Sequence, residues 1–145
     1  MICTFFGHSD CFDLDAEKLQ RAIEKLILDG VDTFYVGNQG HFDNIVRKCL
    51  LQLKKTYQQI SFSVVLAYLP TQKQEGDLYD GFSIYPEEIE IGPRRFAIDR
   101  RNKWLISQSN YCVCCIDHTW GGAYKFARQA KRRGLTVINL GSAEL

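Results

Sequence analysis

The sequence predicts an α/β protein with helices on both faces of a mostly parallel, five-stranded sheet. Three observations predict this class: apolar runs without alternation, helical periodicity between them, and a regular order of strands and helices. Near-continuous apolar strands are typical of a parallel sheet that is buried on both faces. The 145 residues, 46% of them hydrophobic, fit a single domain with a single core.

Five short apolar runs are the candidate strands. They occupy residues 2–6, 31–36, 61–69, 111–116 and 136–140. Gly7 and Gly37 follow the first two runs directly. Turns at the carboxyl ends of these strands are therefore expected there.

Four helical patterns fill the gaps between these strands. They cover residues 16–27, 42–57, about 94–109 and about 122–133. The first pattern follows an N-cap candidate, Asp13 or Asp15, and Gly30 supplies its C-cap. The order β-α-β-α-β, an insertion and then α-β-α-β predicts a Rossmann-like, doubly wound sheet with strand order 3-2-1-4-5.

The insertion covers residues 68–93, which is long for a structureless loop and predicts a lid or a partly structured segment. It contains four aromatic residues and six acidic ones: Tyr68, Tyr79, Phe82, Tyr85, Glu75, Asp77, Asp80, Glu87, Glu88 and Glu90. The aromatic rings could stack on a base, and a carboxylate could act in acid–base or nucleophilic chemistry at a sugar. Alternatively, the rings pin the loop to the core and the acids face the basic segment that follows.

The charge is distributed unevenly. The chain carries 18 basic and 17 acidic side chains, but residues 1–93 hold 8 basic and 14 acidic groups, whereas residues 94–145 hold 10 and 3. The near-neutral total argues against a protein that coats nucleic acid. No apolar run is long enough to span a bilayer, and the N-terminus turns polar after six residues, so we expect a cytoplasmic protein without a membrane partner. The six cysteines, mostly in apolar runs, are expected to be buried and reduced.

Unusual polar and glycine residues follow three strands. In doubly wound sheets, ligands bind beyond the carboxyl ends of the strands where the winding reverses. Glycine at such turns lets the backbone approach a ligand, and the free N–H groups of the next helix bind an anion, usually phosphate. The candidate ligand-binding residues in these loops are Gly7, His8, Gly37, Asn38, Gln39, Gly40, Thr119, Gly121 and Gly122.

The third helix carries polar residues on the face that should pack against the sheet. At helical spacing, Arg95 and Asn102 share this face with two isoleucines. One interpretation is that Arg95 or Arg101, together with Asn102, reaches a ligand phosphate or hydroxyl group. The other is that these side chains satisfy carbonyl groups at the strand ends and the acidic insertion.

The sequence contains no cofactor fingerprint, because neither a GxGxxG nor a GxxxxGK[ST] motif is present. His8, His41 and His118 all fall in the three site loops, so a zinc site with Cys11 is conceivable. Their spacing matches no helix-borne or hairpin-borne ligand pair. We therefore predict neither a cofactor nor a metal.

Three segments resemble a known family: TFFGH near the N-terminus, YVGNQGHFD after the second strand, and the stretch from RRFAIDRRNKW to LTVINL. Together they resemble the SLOG superfamily, in its YpsA-like branch, over nearly the whole chain. The resemblance implies a Rossmann-like domain, a nucleotide or nucleotide-derived ligand, and association into a homodimer. The positions to which the resemblance points are Gly7, His8, Gly37, Asn38, Gly40, Asp43, Arg101, Asn102, Gly121 and Gly122.

The superfamily includes phosphoribohydrolases with a PGGxGTxxE signature. WGGAYKFA in this sequence keeps the glycines and lacks the glutamate. An N-glycosidase or ribosyltransferase activity, the alternative function, would need Asp43, Glu87 or Glu88 as the catalytic carboxylate. DNA binding through the basic C-terminal half is a second alternative, although nucleic acid is not the expected partner.

Overall fold

The computed structural model describes residues 1–9, 11, 14–68, 83–90 and 92–145. Within these residues, six strands form one sheet: β1 (Ile2–Gly7), β2 (Thr33–Val36), β3 (Ser61–Val65), β4 (Ser83–Ile84), β5 (Tyr111–Cys115) and β6 (Thr136–Asn139). Neighbouring strands pair in parallel throughout. The α/β class is therefore confirmed.

The described part of the chain also forms five α-helices: α1 (Ala16–Leu28), α2 (Gly40–Thr56), α3 (Glu87–Glu90), α4 (Ala97–Gln108) and α5 (Gly122–Arg132). The side-chain carboxylate of Asp15 caps α1, since its Oδ1 accepts a hydrogen bond from the Glu17 N–H at 2.9 Å. Gly30 follows this helix with φ of 104°, a conformation that favours glycine.

The strand order is β4-β3-β2-β1-β5-β6. The prediction of five strands in the order 3-2-1-4-5 was wrong, because a sixth strand lies at the edge of the sheet beyond β3. This strand comes from the insertion and pairs through Val64 with Ser83 and through Val65 with Ile84. A strand of two residues shows no periodicity in the sequence, so the apolar pattern did not reveal it.

The helices cover both faces of the sheet. Residues of α1 and α2, such as Leu19 and Phe42, share one core cluster with Phe34 of β2. Residues of α4 and α5, such as Leu105 and Phe126, form a second cluster on the opposite face. From β1 the chain adds β2 and β3 on one side of β1, with α1 and α2 on one face of the sheet. It then returns to the other side of β1 with β5, and α4 and α5 cover the opposite face. The winding reverses between β1 and β5, at the place where this architecture binds ligands.

The described part of the insertion is structured. Besides β4 it forms α3, and the guanidinium of Arg100 on α4 donates hydrogen bonds to the carbonyl oxygens of Ile89 at 2.9 Å and Pro93 at 2.7 Å. These residues of the insertion thus form a short strand and a short helix that are tied to α4. Residues 69–82 and 91, which include the predicted stacking rings of Tyr79 and Phe82, lie outside the described residues.

Cys11 and Cys115 are paired as a disulfide. The expectation of six reduced thiols was therefore wrong for this pair, whereas Cys3, Cys49, Cys112 and Cys114 are free. The register of β1 against β5 places Gly7 beside Cys115, and the loop after β1 folds back so that the Cys11 N–H donates to the His8 carbonyl at 3.2 Å. The sequence alone does not show this long-range proximity.

None of the helices in the described residues combines the length and the apolar character that crossing a membrane would require.

Candidate functional site

A cleft of about 560 Å³ opens at the carboxyl edge of the sheet, beyond β1 and β5. Its walls come from the loops after β1, β2 and β5, from α4, and from the first turn of α5. Of the predicted ligand-binding residues, those that line it are Gly7, His8, Gln39, Gly40, Arg101, Asn102, Gly121 and Gly122. The structure thus brings residues from three distant loops and from α4 to one place.

Arg101 is buried in the wall of this cleft, with 4% of its surface exposed. Its Nε and Nη2 donate to Asn102 Oδ1 at 3.1 and 3.0 Å, and its Nη1 donates to Asn38 Oδ1 at 3.3 Å. Burial lowers the pKa of the guanidinium, and the charge of Asp43 opposes this shift. The two asparagines therefore hold a fixed, buried positive charge at the site.

Asp43, on the first turn of α2, is the buried carboxylate of the site. Its Oδ2 accepts a hydrogen bond from the Gln39 N–H at 2.8 Å, which satisfies one of the free donors at the start of that helix. Burial raises the pKa of Asp43 to about 6, although Arg101 and the Gln39 hydrogen bond oppose the shift. A carboxylic acid with such a pKa is able to exchange a proton near neutral pH.

Gly37 is required by the close approach of Arg101 and Asp43. A Cβ atom at this position would lie 2.8 Å from both Arg101 Nη1 and Asp43 Oδ2. The glycine that ends β2 therefore makes room for the buried charges and does not itself line the cleft.

The first turn of α5 faces the cleft without a cap. Its N-cap residue, Gly121, has no side chain that could cap the helix, and no acidic residue lies in its first turn. Gly121 precedes the helix with φ of 92°, and a Cβ atom at Gly122 would meet no atom within 4 Å. The backbone here is accessible from the cleft, and a helix N-terminus of this kind favours an anion.

Three aromatic rings form a column on another side of the cleft. The rings of His8 and His118 stack with centroids 3.5 Å apart, and those of His118 and Trp120 stack at 3.9 Å. The Trp120 carbonyl oxygen lies 3.1 Å from His118 Nδ1, which ties the end of this column to the loop after β5. Trp120 is 67% exposed.

The side chains of Trp120 and His118 were not among the predicted ligand-binding residues. Their positions in the sequence next to the Gly121–Gly122 turn were a usable signal, but stacking on His8 depends on a strand register that the sequence does not show. Among the described aromatic residues, this column provides the exposed ring at the cleft, and neither Tyr68 nor Tyr85 of the insertion lines it. Tyr68 faces the Arg94 guanidinium at 4.8 Å, and Tyr85 packs against the core.

Six predicted site residues do not line the cleft. Asn38 and Gly37 lie behind it, against Arg101. Thr119 is exposed, as are the candidate catalytic residues Glu87 and Glu88 on α3. The sixth is Arg95.

Arg95 lies in a 3-10 turn (Arg94–Phe96) before α4, with its guanidinium 4.8 Å from the Phe96 ring centre. The expectation that it shares a sheet-facing helical position with Asn102 was wrong, because α4 begins only at Ala97. Arg101 is the arginine that reaches the cleft.

The histidines do not form a three-ligand metal group among the described residues. The group that the structure brings together is Cys11, Cys115 and Asp117, whose ligand atoms lie within 4.8 Å of one another. Disulfide pairing engages both sulfur atoms of this group.

Neither a protein-family model nor a curated protein matches this chain. Membership of the SLOG superfamily accordingly stays a prediction from the sequence motifs.

Proposed function

We propose that this protein binds a nucleotide or a nucleotide-derived ligand in the cleft, with a phosphate group at the N-terminus of α5. The observation that carries the proposal is the uncapped Gly121–Gly122 start of α5, which opens into the same cleft as the buried guanidinium of Arg101. Backbone N–H groups and a fixed positive charge are the donors that phosphate prefers.

The two helices that begin at the cleft differ in their electrostatics. At α2 the Asp43 carboxylate already accepts the Gln39 N–H, and it places a negative charge near the first turn. At α5 no acidic residue lies in the first turn, and Lys125, at the end of that turn, carries a positive charge that pairs with Asp99 of α4 at 3.6 Å. An anionic ligand therefore gains more at α5 than at α2.

The size of the cleft supports the same class of ligand. Its volume of about 560 Å³ lies within the range of roughly 300–1,000 Å³ that is typical of small-molecule sites. It exceeds what a single phosphate fills, so the remaining space is available for a sugar and a base.

A thermal-shift panel of mononucleotides, dinucleotides, ADP-ribose and cyclic nucleotides tests the proposal. A ligand present at 100 times its Kd adds about 2.7 kcal/mol to the free energy of unfolding. We expect at least one member to raise the Tm. If no member does so at millimolar concentration, the proposal is wrong.

The variant Gly122→Glu tests the position of the phosphate. The side chain has space, and an acid in the first turn of α5 should leave the free protein equally stable or about 0.5–1 kcal/mol more stable. We expect ligand affinity to fall at least tenfold because the new carboxylate repels the phosphate. Gln58→Glu is the matched control, since it adds the same charge at an exposed turn before β3, at the opposite edge of the sheet. Equal loss of affinity in both variants would contradict the assignment.

A second candidate function, hydrolysis or transfer at an N-glycosidic bond, is favoured by Asp43 alone. Asp43 lines the cleft, and its pKa of about 6 suits a group that exchanges protons during catalysis. Incubation with nucleotides followed by chromatography detects the released base. Asp43→Asn should abolish any release, whereas Glu88→Gln, on exposed α3, should not. Release that survives Asp43→Asn in a folded protein would exclude Asp43 as the catalytic group.

A further inference from the structure

We propose that Trp120 is the stacking platform for the base of the bound ligand, with His118 and His8 as its support. This inference rests on the proposed function and narrows the ligand to one with a planar aromatic base. It assigns a role to a side chain that the sequence motifs did not single out.

The first observation is the order of the three rings. His8 is buried, His118 is partly buried and Trp120 is 67% exposed, so the column runs from the sheet edge outward into the cleft. The planes of His118 and Trp120 are inclined by only 20°. One face of the indole rests on His118, and the high exposure leaves the opposite face available. Because the platform is already ordered, a base that stacks on it does not have to immobilise the side chain.

The second observation is the position of Trp120 relative to the anion site. Only Gly121 separates Trp120 from Gly122, so their Cα atoms are at most about 7.6 Å apart. A phosphate at the start of α5 and a base on Trp120 would be separated by a distance that one ribose spans. The dimensions of a mononucleotide therefore match those of the pair of subsites.

The other aromatic side chains of the described residues near this edge are engaged elsewhere. Trp104 packs against Tyr35 at a centroid distance of 5.5 Å, and Phe126 is buried against Phe6 at 5.9 Å. Trp120 thus offers the large exposed ring of the cleft.

Stacking on an aromatic side chain tolerates different bases, since every base presents a π face. We expect purine nucleotides to bind more tightly than pyrimidine nucleotides because their rings cover more of the indole. Loss of such a stack corresponds to an increase in Kd of about 5- to 150-fold.

The experiment compares 5′-AMP with ribose 5-phosphate, which lacks the base, by calorimetric titration of the full chain. In the unaltered protein AMP should bind more tightly. Trp120→Ala should weaken AMP binding about 5- to 150-fold and change ribose 5-phosphate binding less than about twofold, while Trp120→Phe should retain most of the affinity for AMP. Phe96→Ala, which removes an exposed ring outside the cleft, is the control and should change neither ligand.

The outcomes separate this inference from the proposed function. Equal affinity for both ligands in the unaltered protein, or an equal loss for both in Trp120→Ala, overturns the platform and leaves phosphate binding intact. If neither ligand binds, the proposed function fails and the platform with it.

A second measurement does not depend on affinity differences. The chain has two tryptophans, so Trp104→Phe leaves Trp120 as the sole tryptophan. Saturating AMP should quench its fluorescence, and saturating ribose 5-phosphate should not. Unchanged fluorescence with bound AMP overturns the proposal.

Discussion

The buried carboxyl group of Asp43 lines the cleft, and its ionisation lowers the stability of the fold. Its carboxylate orders the start of α2 through Gln39, and its charge lies near Arg101. Yet burial raises its pKa to about 6 from 3.8, which means that the folded protein holds the proton more tightly than the unfolded chain. Ionisation of Asp43 near neutral pH therefore costs folding free energy. Such a cost is common at functional sites.

The sign of this effect gives a pH-dependent prediction. Between about pH 4 and pH 6 the folded state binds more protons at Asp43 than the unfolded state, so the contribution of this group to stability falls as pH rises. A shift from 3.8 to about 6 corresponds to about 3 kcal/mol, fully lost above about pH 7. We expect the stability of Asp43→Asn relative to the unaltered protein to increase by this order between about pH 4 and pH 7.

Urea unfolding at four pH values across this range measures the difference. The comparison uses the change with pH and not the absolute stability, because the Asp43→Asn substitution also leaves Arg101 without its counter-charge. Asp29→Asn, an exposed replacement at the end of α1, serves as the control. A pH-independent difference for Asp43→Asn would show that the carboxyl group titrates with an ordinary pKa.

At the scale of elements, the sequence predicted the strands and helices whose buried side chains form a long apolar run or a helical period. Strands β1, β2, β3, β5 and β6 and four of the helices follow runs or periods that the sequence displays. The start of α4 was placed too early because Arg94–Phe96 continues the helical pattern, whereas the chain forms a 3-10 turn after Pro93. Because of this 3-10 turn, Arg101 and not Arg95 lines the cleft. The periodicity of the sequence does not distinguish a 3-10 turn from the first turn of an α-helix.

The insertion gives a second prediction at this scale. Arg100 bridges the carbonyl oxygens of Ile89 and Pro93, and a Cβ on Gly92 would lie 2.9 Å from its Nη1. Loss of these two charge-assisted hydrogen bonds should destabilise the protein by about 2 kcal/mol in total. Hydrogen bonds to charged groups contribute about 1.5–3 kcal/mol each, and these two contribute less because one is only partly buried and the other is exposed. Arg100→Ala should also increase the rate of limited proteolysis within residues 83–93.

Lys103→Ala provides the comparison for Arg100→Ala, because Lys103 is an exposed cation on the same helix. Denaturant unfolding and proteolysis followed by mass spectrometry detect both effects. Similar behaviour of the two variants would mean that Arg100 does not anchor the insertion.

At the scale of the whole molecule, the division into an acidic and a basic part is not explained by ion pairs among the described residues. The exposed bridge between Lys125 and Asp99, at 3.6 Å, lies within the basic part. The described part of the acidic insertion is instead held by hydrogen bonds from Arg100 to its backbone carbonyl groups and by the pairing of strand β4. The basic side chains of the last turns of α5 are exposed. Among the described residues, the acidic side chains of α3 and the basic side chains of α5 therefore lie on the surface and form no ion pair with each other.

The disulfide between Cys11 and Cys115 acts at the same scale, because it joins the loop after β1 to the end of β5 across 104 positions of sequence. Cross-links that close long loops restrict the unfolded chain, with a typical gain of about 2–4 kcal/mol. Reduction by dithiothreitol should therefore lower the free energy of unfolding by this amount. The same treatment should have no effect on Cys11→Ser, and Cys49→Ser, which removes a free cysteine, should respond like the unaltered protein.

Alkylation in denaturant, followed by intact mass measurement, counts the thiols directly. Protein purified without reductant should take up four alkyl groups, and six after reduction, because four of the six cysteines are free. In the native state uptake should be slow. Burial raises the pKa of the Cys3 thiol, and a hydrogen bond with Cys114 together with burial raises that of Cys112. Burial also raises the pKa of half-buried Cys49 to about 11, so little reactive thiolate forms. Six groups without prior reduction, combined with no effect of dithiothreitol on stability, would show that Cys11 and Cys115 remain thiols in solution. Both sulfur atoms would then be available to the group that they form with Asp117 beside the cleft.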